Sequence, residues 1–301
     1  MITDEFIKSI QSESVIIKKD EPMYLHTSFR IGGNAECFCE VRSIDALRNV
    51  VSACKGFGVP YFIIGLGSNL LVSDEGIDGV VIKLGGDFDE VEVKDNNTLR
   101  CGAGISLAGV CICAKNNNLG GMEFAWGIPG SMGGAVYMNA GAYGGEMKDI
   151  VVSSRYLDGD GNIREISGEE HKFSYRNSFY TDKDYIILDV TLKLNPKNKN
   201  EIFYLMQDTM ERRKAKQPLN RPSAGSVFKR PEGYYAAALI EQCGLKGLSL
   251  GDAQVSEKHS GFIVNNGSAS AKDVLELIEK VKNVVREKTG VELQCEIKYI
   301  G

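Results

Sequence analysis

The chain has 301 residues, of which 43% are hydrophobic and 25% are charged, so its composition is that of an ordinary globular protein. Domains usually run to about 100–200 residues, and this length therefore predicts two or three of them. A net charge of −5 argues against a general nucleic-acid-binding protein, because phosphate contacts need a basic surface.

The N-terminal residues do not resemble a signal peptide, since they contain neither a basic nor an apolar segment. No apolar run approaches the roughly 18 residues of a membrane span. We therefore expect a cytoplasmic protein without membrane insertion, and eight scattered cysteines that remain reduced. Two cysteine pairs are spaced C-x-C rather than C-x-x-C, and the three histidines form no close pair, so no metal site is expected.

The first part of the chain predicts alternating strands and helices. A strand is expected at Glu36–Val41, followed by a helix that Ser43 caps and that ends near Lys55. Further strands are predicted at Tyr61–Ile64, Val80–Leu84, Val91–Val93, Val151–Leu157 and Ile186–Leu194, with a helix at Ser106–Asn117.

The pattern changes after residues 195–198, a polar Asn-Pro-Lys-Asn break that is typical of a linker. Beyond it, the periodicity predicts helices at Glu201–Lys214, Tyr235–Cys243 and Ala271–Thr289, and short strands at Gly261–Val264 and Glu296–Ile300. We predict three parts, at residues 1–85, 86–196 and 197–301.

Two glycine-rich loops, Gly65–Leu71 and Gly127–Ala135, are candidate phosphate sites. Glycine allows backbone amides to approach a pyrophosphate, because it has no Cβ. The Rossmann pattern fails because Leu70 occupies its third glycine position, and no P-loop pattern occurs. On these residues alone, a diphosphate ligand and a pair of structural turns remain about equally open.

Segments spread over nearly the whole chain, in order, resemble the UDP-N-acetylenolpyruvoylglucosamine reductase (MurB) family. They are His26–Glu36, Gly65–Leu71, Gly127–Gly144, Ser174–Ser178, Pro222–Lys229, Ile240–Gly247 and Leu293–Gly301. His26 stands where the family usually has Asn. Residues 180–184 run directly into a predicted strand, so the chain resembles the shorter subtype, which lacks an inserted tyrosine loop.

The resemblance implies an α+β fold, with a two-lobed FAD-binding module of the vanillyl-alcohol-oxidase (PCMH) type followed by a smaller α+β substrate domain. It implies NADPH-dependent reduction of UDP-N-acetylglucosamine enolpyruvate to UDP-N-acetylmuramate through non-covalent FAD. This is a step of peptidoglycan precursor synthesis, and hence of cell-wall biogenesis, cell shape and cell division. No nucleic acid and no required protein partner is expected.

The same resemblance implies three catalytic residues. Arg176 would bind the substrate carboxylate, because guanidinium geometry matches a carboxylate and its charge does not titrate away. Ser226 would donate a proton to the substrate carbon, and Glu296 would be protonated beside the substrate carboxylate. By residue type alone, each of the three could also be an ordinary surface or turn residue.

The resemblance also implies binding residues. Those for FAD are Gly65, Gly67, Ser68, Asn69, Leu70, Gly130, Ser131, Gly133, Gly134 and Ala140. Those for substrate are Tyr175, Lys229 and Lys246, with Tyr143 as a further candidate. Lys246 matches a family lysine on the substrate diphosphate.

Two alternatives remain open. One is a flavin oxidase of the same fold that uses oxygen, from which the Ser226–Glu296 pair and an NADPH requirement would distinguish the chain. The other is a sugar-nucleotide-binding protein without flavin, which would be colourless when purified.

Overall fold

The computed structural model describes residues 2–95 and 97–301, and the chain forms two compact units. The first unit comprises Met1–Lys19, Cys37–Leu66 and Gly79–Arg212, and the second comprises Asp20–Glu36, Gly67–Asp78 and Arg213–Gly301. The three-part division at residues 85 and 196 stays a prediction. In the described part of the chain, no helix has the length and apolar character needed to cross a membrane.

The described residues form seven α-helices and eighteen strands. The helices are α1 (Asp4–Ile10), α2 (Ile44–Phe57), α3 (Leu107–Asn116), α4 (Met132–Tyr137), α5 (Lys199–Lys216), α6 (Ala236–Gln242) and α7 (Ala271–Thr289). The strands are β1 (Val15–Pro22), β2 (Asn34–Val41), β3 (Tyr61–Ile64), β4 (Leu70–Val72), β5 (Ile77–Leu84), β6 (Val91–Lys94), β7 (Thr98–Gly102), β8 (Leu119–Gly120), β9 (Gly141–Ala142), β10 (Gly145–Glu146), β11 (Val151–Leu157), β12 (Ile163–Ser167), β13 (Ile186–Lys193), β14 (Asn195–Pro196), β15 (Ser249–Leu250), β16 (Ala253–Val255), β17 (Ile263–Asn265) and β18 (Lys298–Ile300).

The first unit contains most of a four-stranded sheet, in the order β1-β2-β5-β3, with β3 and β5 parallel. Helix α2 buries Leu47, Val50 and Val51 in the core of this unit. Ser43 begins the helix by accepting a hydrogen bond from the amide of Ala46, as predicted. The helix therefore has one apolar face and a capped end, both readable from the sequence.

A five-stranded antiparallel sheet completes the first unit, in the order β12-β11-β13-β7-β6. Its central strand β13 is buried along almost its whole length. The carboxylate of Asp189, on this strand, lies 3.0 Å from the Arg100 guanidinium and also binds Arg155. This charged group is buried but paired on both sides, which buried charges require.

The predicted linker at residues 195–198 is wrong at its first two positions. Asn195 and Pro196 form strand β14, which pairs with Gly120 and Leu119 of β8. Proline can occupy such a short edge strand because it need not donate a ladder hydrogen bond there. The polar composition therefore reflects an exposed strand rather than a free connection.

The second unit is built on the three-stranded antiparallel sheet β15-β16-β17 and on helix α7, which contacts β15 and β16. Helix α7 has the predicted bounds, Ala271–Thr289. Ser270 and Asp273 form a capping box, and the Asp74 carboxylate accepts hydrogen bonds from the next two amides of the helix. The helix end thereby holds the segment Gly67–Asp78 within this unit.

We predict that Asp189→Ala will lower the free energy of unfolding by about 2 kcal/mol. Removing the carboxylate leaves two arginines without their shared partner, and their one-third exposure moderates the cost of about 3–5 kcal/mol known for fully buried pairs. Chemical denaturation measures the change.

The matched control is Glu92→Ala, which breaks the exposed Lys94–Glu92 pair on the same sheet. Exposed pairs contribute about 0–1 kcal/mol. Equal losses in the two variants would contradict this account of Asp189.

Candidate active site

Gly65, which directly follows strand β3, packs against the start of helix α4, and both belong to the first unit. Ser131 precedes α4, is 2% exposed, and caps the helix by accepting a hydrogen bond from the Gly134 amide. A Cβ added at Gly65 would lie 2.3 Å from Ser131 Oγ. Glycine is therefore required at position 65 because it lets these two predicted FAD-binding segments lie side by side.

Several backbone amides of the α4 segment donate hydrogen bonds within the protein. The Gly133 amide donates to the Ala103 carbonyl, and the Ala140 amide donates to the Ala135 carbonyl, each at 2.8 Å. In the part of the chain that the structure describes, the amides of Gly130 and Ser131 have no protein acceptor. These two amides are suited to donate to phosphate oxygens, whereas Gly133 is needed for close packing on Ala103.

Arg176 lies at the tip of a tight turn in the first unit. The backbone groups of Ser174 and Asn177 bond to each other, and Arg176, the third residue of the turn, has φ +54°. Glycine is the usual residue at such a left-handed position. The Arg176 guanidinium donates to the Gly141 carbonyl at 3.2 Å and stacks on the Tyr175 ring, which places it beside the segment that contains Ala140.

In the second unit, the other half of the first glycine loop lies against the C-terminal strand. The Asn69 side chain donates to the Glu296 carbonyl at 3.1 Å, and the Lys298 amide donates to the Asn69 carbonyl at 2.9 Å. Strands β4 and β18 continue this pairing in parallel, with Leu70 opposite Lys298. The amides of Gly67 and Ser68 have no protein acceptor among the described residues, so they too are suited to bind phosphate.

Ser226 and Glu296 lie on neighbouring segments of the second unit. The Glu296 amide donates to the carbonyl of Val227 at 2.7 Å, and the Lys229 amide donates to the Gln294 carbonyl at 2.8 Å. The Ser226 hydroxyl donates to the Phe228 carbonyl at 3.2 Å. Ser226 and Glu296 are 70 positions apart in the sequence (296 − 226), yet their segments are adjacent in space.

The sequence reasoning missed His259, which lies near Ser226. A Cβ added at Gly261 would lie 3.2 Å from His259 Nδ1 and 3.3 Å from Ser226 Oγ. The Gly261 amide donates to Nδ1, so the remaining ring nitrogen carries the proton of the neutral ring. Burial lowers the pKa of His259, and the charge of Lys246 lowers it further. Only its position beside a predicted strand could have suggested it.

The structure thus gathers the predicted residues into two groups, each within one unit. Gly65 and Ser131 touch in the first unit, where Arg176 lies beside Ala140. Asn69, Ser226 and Glu296 are neighbours in the second. Lys246 binds the Glu241 carboxylate at 3.0 Å, and its charge acts on the His259 ring. Tyr143 and Tyr175 are exposed.

Two family models match the chain. Residues 35–167 match the model of an FAD binding domain, and residues 217–300 match the C-terminal domain of UDP-N-acetylenolpyruvoylglucosamine reductase. The first match contains both glycine loops, and the second contains Ser226 and Glu296. In the first unit, the packing of Gly65 on Ser131 and the amides of Gly130 and Ser131, which have no protein acceptor among the described residues, fit a diphosphate group of FAD.

We predict that Gly65→Ala will raise the FAD dissociation constant by about 5- to 150-fold. The added methyl group forces Ser131 away from the start of α4, and such overpacking costs about 1–3 kcal/mol. Titration of the apoprotein with FAD, followed by flavin fluorescence, measures the constant.

The control is Gly56→Ala, because Gly56 lies in α2 and an added Cβ there meets no atom within 4 Å. Unchanged FAD affinity in Gly65→Ala would contradict the proposed place of this loop in the cofactor site.

Known proteins similar to this chain support the same family as the two family models. The UDP-N-acetylenolpyruvoylglucosamine reductase of Clostridioides difficile is 52% identical over 95% of this chain and 93% of its own length. The crystal structure of the Thermus caldophilus enzyme (MurB) is 37% identical, with a TM-score of 0.82 over 95% of this chain and 99% of that chain.

A solved structure described as wild-type Phl p 4.0202, a glucose dehydrogenase, has a TM-score of 0.50 over 95% of this chain and 62% of that chain, at 12% identity. An identity this low shows a shared fold alone. With the FAD binding domain match, it confirms the predicted α+β fold. The family predicted from the motifs is also confirmed: the chain belongs to the UDP-N-acetylenolpyruvoylglucosamine reductase family.

Proposed function

We propose that the chain reduces UDP-N-acetylglucosamine enolpyruvate to UDP-N-acetylmuramate with NADPH and FAD, and that Arg176, Ser226 and Glu296 act on the enolpyruvyl group. The observation that carries the proposal is the 2.7 Å hydrogen bond from the Glu296 amide to the Val227 carbonyl. This bond places the segment that carries the Ser226 hydroxyl beside the segment that carries the Glu296 carboxyl group, and the reaction needs both a proton donor and a partner for the substrate carboxylate.

When bound, FAD would supply the hydride-transfer chemistry between NADPH and the terminal vinyl carbon of the substrate. The amides of Gly67, Ser68, Gly130 and Ser131 would donate to its diphosphate. The remaining predicted residues would shape the loops around it, namely Gly65, Asn69, Leu70, Gly133, Gly134 and Ala140. No covalent bond to the protein is proposed.

Arg176 would bind the substrate carboxylate and stabilise the negative charge that develops beside it after hydride transfer. A left-handed conformation costs a residue other than glycine about 1–2 kcal/mol, and such strain tends to persist at functional sites. Two planar N–H groups of a guanidinium can bind a carboxylate in parallel. Preorganised donors of this kind lower a barrier by about 3–4 kcal/mol.

Ser226 would donate the proton that completes the reduction. Its hydroxyl already donates to a backbone carbonyl, which holds the proton in a defined direction until substrate is present. A serine hydroxyl is a weak acid, and it can protonate carbon only where that carbon is strongly basic. The enolate-like carbon formed by hydride addition is such a centre.

Tyr175, Lys229 and Lys246 would bind other parts of the substrate, with Lys246 at the diphosphate, where a point charge suffices. Tyr143 is a further candidate. We also propose that the protein acts in the cytoplasm without a protein partner, and that it contributes through peptidoglycan to cell shape and cell division.

We expect Ser226→Ala to be reduced by NADPH at the normal rate but to be reoxidised by the enolpyruvyl substrate about 10²–10⁴-fold more slowly, because only the second step needs the proton donor. Anaerobic stopped-flow absorbance of the flavin separates the two steps. Ser249→Ala, at an exposed serine of the same unit, is the control.

Reoxidation by oxygen but not by the enolpyruvyl substrate in the unaltered protein would favour an oxidase instead. A protein that remains colourless after reconstitution with FAD would indicate a nucleotide-binding protein without flavin.

Glu296 is predicted to be protonated when substrate is bound, because two carboxylates in one site repel each other. The infrared difference spectrum of the substrate complex should then contain a protonated carboxyl band that Glu296→Gln lacks and Glu292→Gln retains. Absence of this band from the unaltered complex would refute a protonated Glu296.

A further inference from the structure

Three buried polar side chains in the first unit form a hydrogen-bonded chain outside the catalytic group. Ser154 Oγ, on strand β11, lies 2.7 Å from His171 Nε2 and 2.6 Å from the Tyr180 hydroxyl. None of the three side chains is more than 1% exposed. Polar groups buried this deeply cost free energy unless they are hydrogen-bonded, so their presence in an otherwise apolar core needs a reason.

The direction of every hydrogen bond in this chain follows from its last acceptor. His171 Nδ1 lies 3.0 Å from the carbonyl of Gly168, which can only accept, so Nδ1 carries the ring proton. Nε2 therefore accepts from the Ser154 hydroxyl, which in turn accepts from Tyr180. Burial lowers the pKa of His171, and this keeps the ring neutral, as the arrangement requires.

The chain of hydrogen bonds closes the loop that carries Arg176. His171 and Tyr180 are the two ends of this loop, and both meet at Ser154. A backbone bond from the Phe179 amide to the His171 carbonyl, 2.7 Å long, joins the ends a second time. The tip of the loop is the turn in which Arg176 adopts its left-handed conformation.

Two more hydrogen bonds tie the same loop to the segment before Gly141. The Ser178 hydroxyl donates to the Tyr137 carbonyl at 2.8 Å, and the Asn139 side chain donates to the Ser174 carbonyl at 3.0 Å. The loop is thus attached at its base and on both sides of its tip. Residues 137–139 lead directly to Gly141, whose carbonyl accepts from the Arg176 guanidinium.

We propose that Ser154, His171 and Tyr180 are positioning residues for Arg176 in the reduction of the enolpyruvyl substrate. The proposal rests on the proposed role of Arg176. A strained turn keeps its conformation only while its surroundings hold it, and a one-way chain of hydrogen bonds fixes the loop ends in one arrangement. The Tyr180 ring also packs on Tyr156, but this packing alone would not fix the arrangement of the loop ends.

A double-mutant cycle tests whether this network acts through Arg176. Tyr180→Phe removes the first hydroxyl of the chain and keeps the ring that packs on Tyr156 and Phe179. We expect Tyr180→Phe to slow reoxidation of the reduced flavin by the enolpyruvyl substrate about tenfold, without changing its reduction by NADPH. In an Arg176→Lys background, the same change should slow reoxidation less than about twofold, because coupled residues are not additive.

Tyr185→Phe is the matched control, since this ring belongs to the same aromatic cluster but is outside the hydrogen-bonded chain. It should leave both rates unchanged. Ser154→Ala provides a second cycle that breaks the network at its centre, and the bound-flavin spectrum shows that each variant is folded.

The possible results separate the two proposals. If Arg176→Lys leaves reoxidation at its normal rate, the role of Arg176 is wrong and the positioning proposal is wrong with it. If Arg176→Lys slows reoxidation while Tyr180→Phe and Ser154→Ala leave its rate unchanged, the positioning proposal alone is wrong. The same holds if Tyr180→Phe and Ser154→Ala slow reoxidation equally with and without Arg176→Lys.

Discussion

The hydrogen bond from the Glu296 amide to the Val227 carbonyl is the contact on which the second unit's part of the reaction depends. It joins the C-terminal segment to the segment that carries Ser226, and Asn69 adds the glycine loop through the Glu296 carbonyl. No local element could unite these residues, because they are far apart in the chain. Backbone pairing brings their segments together instead.

The first unit meets a different requirement, because it must hold Arg176 in an unfavourable, left-handed backbone conformation. Arg176 has no helix or long strand to support it, so its loop is attached by hydrogen bonds from strand β11 and from residues 137–139. In the glycine loops too, contacts with neighbouring residues fix the backbone. Gly65 and Gly133 matter because their neighbours approach closely, and the amides without protein acceptors lie next to them in the chain.

Much of the fold could be predicted because apolar periodicity and helix caps are local signals. Helix α7 and strand β11 have the predicted bounds, and Ser43 caps α2 as expected. The short helix α4 and the polar strand β1 were not predicted, since six residues give little periodicity and Lys18–Asp20 is charged. The two residues of strand β14 were mistaken for part of a linker because this strand is short and polar in composition.

The candidate site was predictable in its residue types only through resemblance to a family. The residues alone could not indicate which glycines pack and which amides remain for a ligand, because that depends on partners such as Ala103 and Ser131. His259 and the Tyr180–Ser154–His171 chain were missed because isolated polar residues carry no pattern. Their importance follows only from burial and from hydrogen-bond partners.

The most direct test of the account is a crystal structure of the FAD-containing protein with UDP-N-acetylglucosamine enolpyruvate bound. We predict that Ser226 Oγ will lie about 3 Å from the carbon that receives the proton. Arg176 and Glu296 should both contact the substrate carboxylate, with the guanidinium bound through two N–H groups. A substrate carboxylate held by other residues, with Ser226 beyond hydrogen-bond reach of the reacting carbon, would contradict the account.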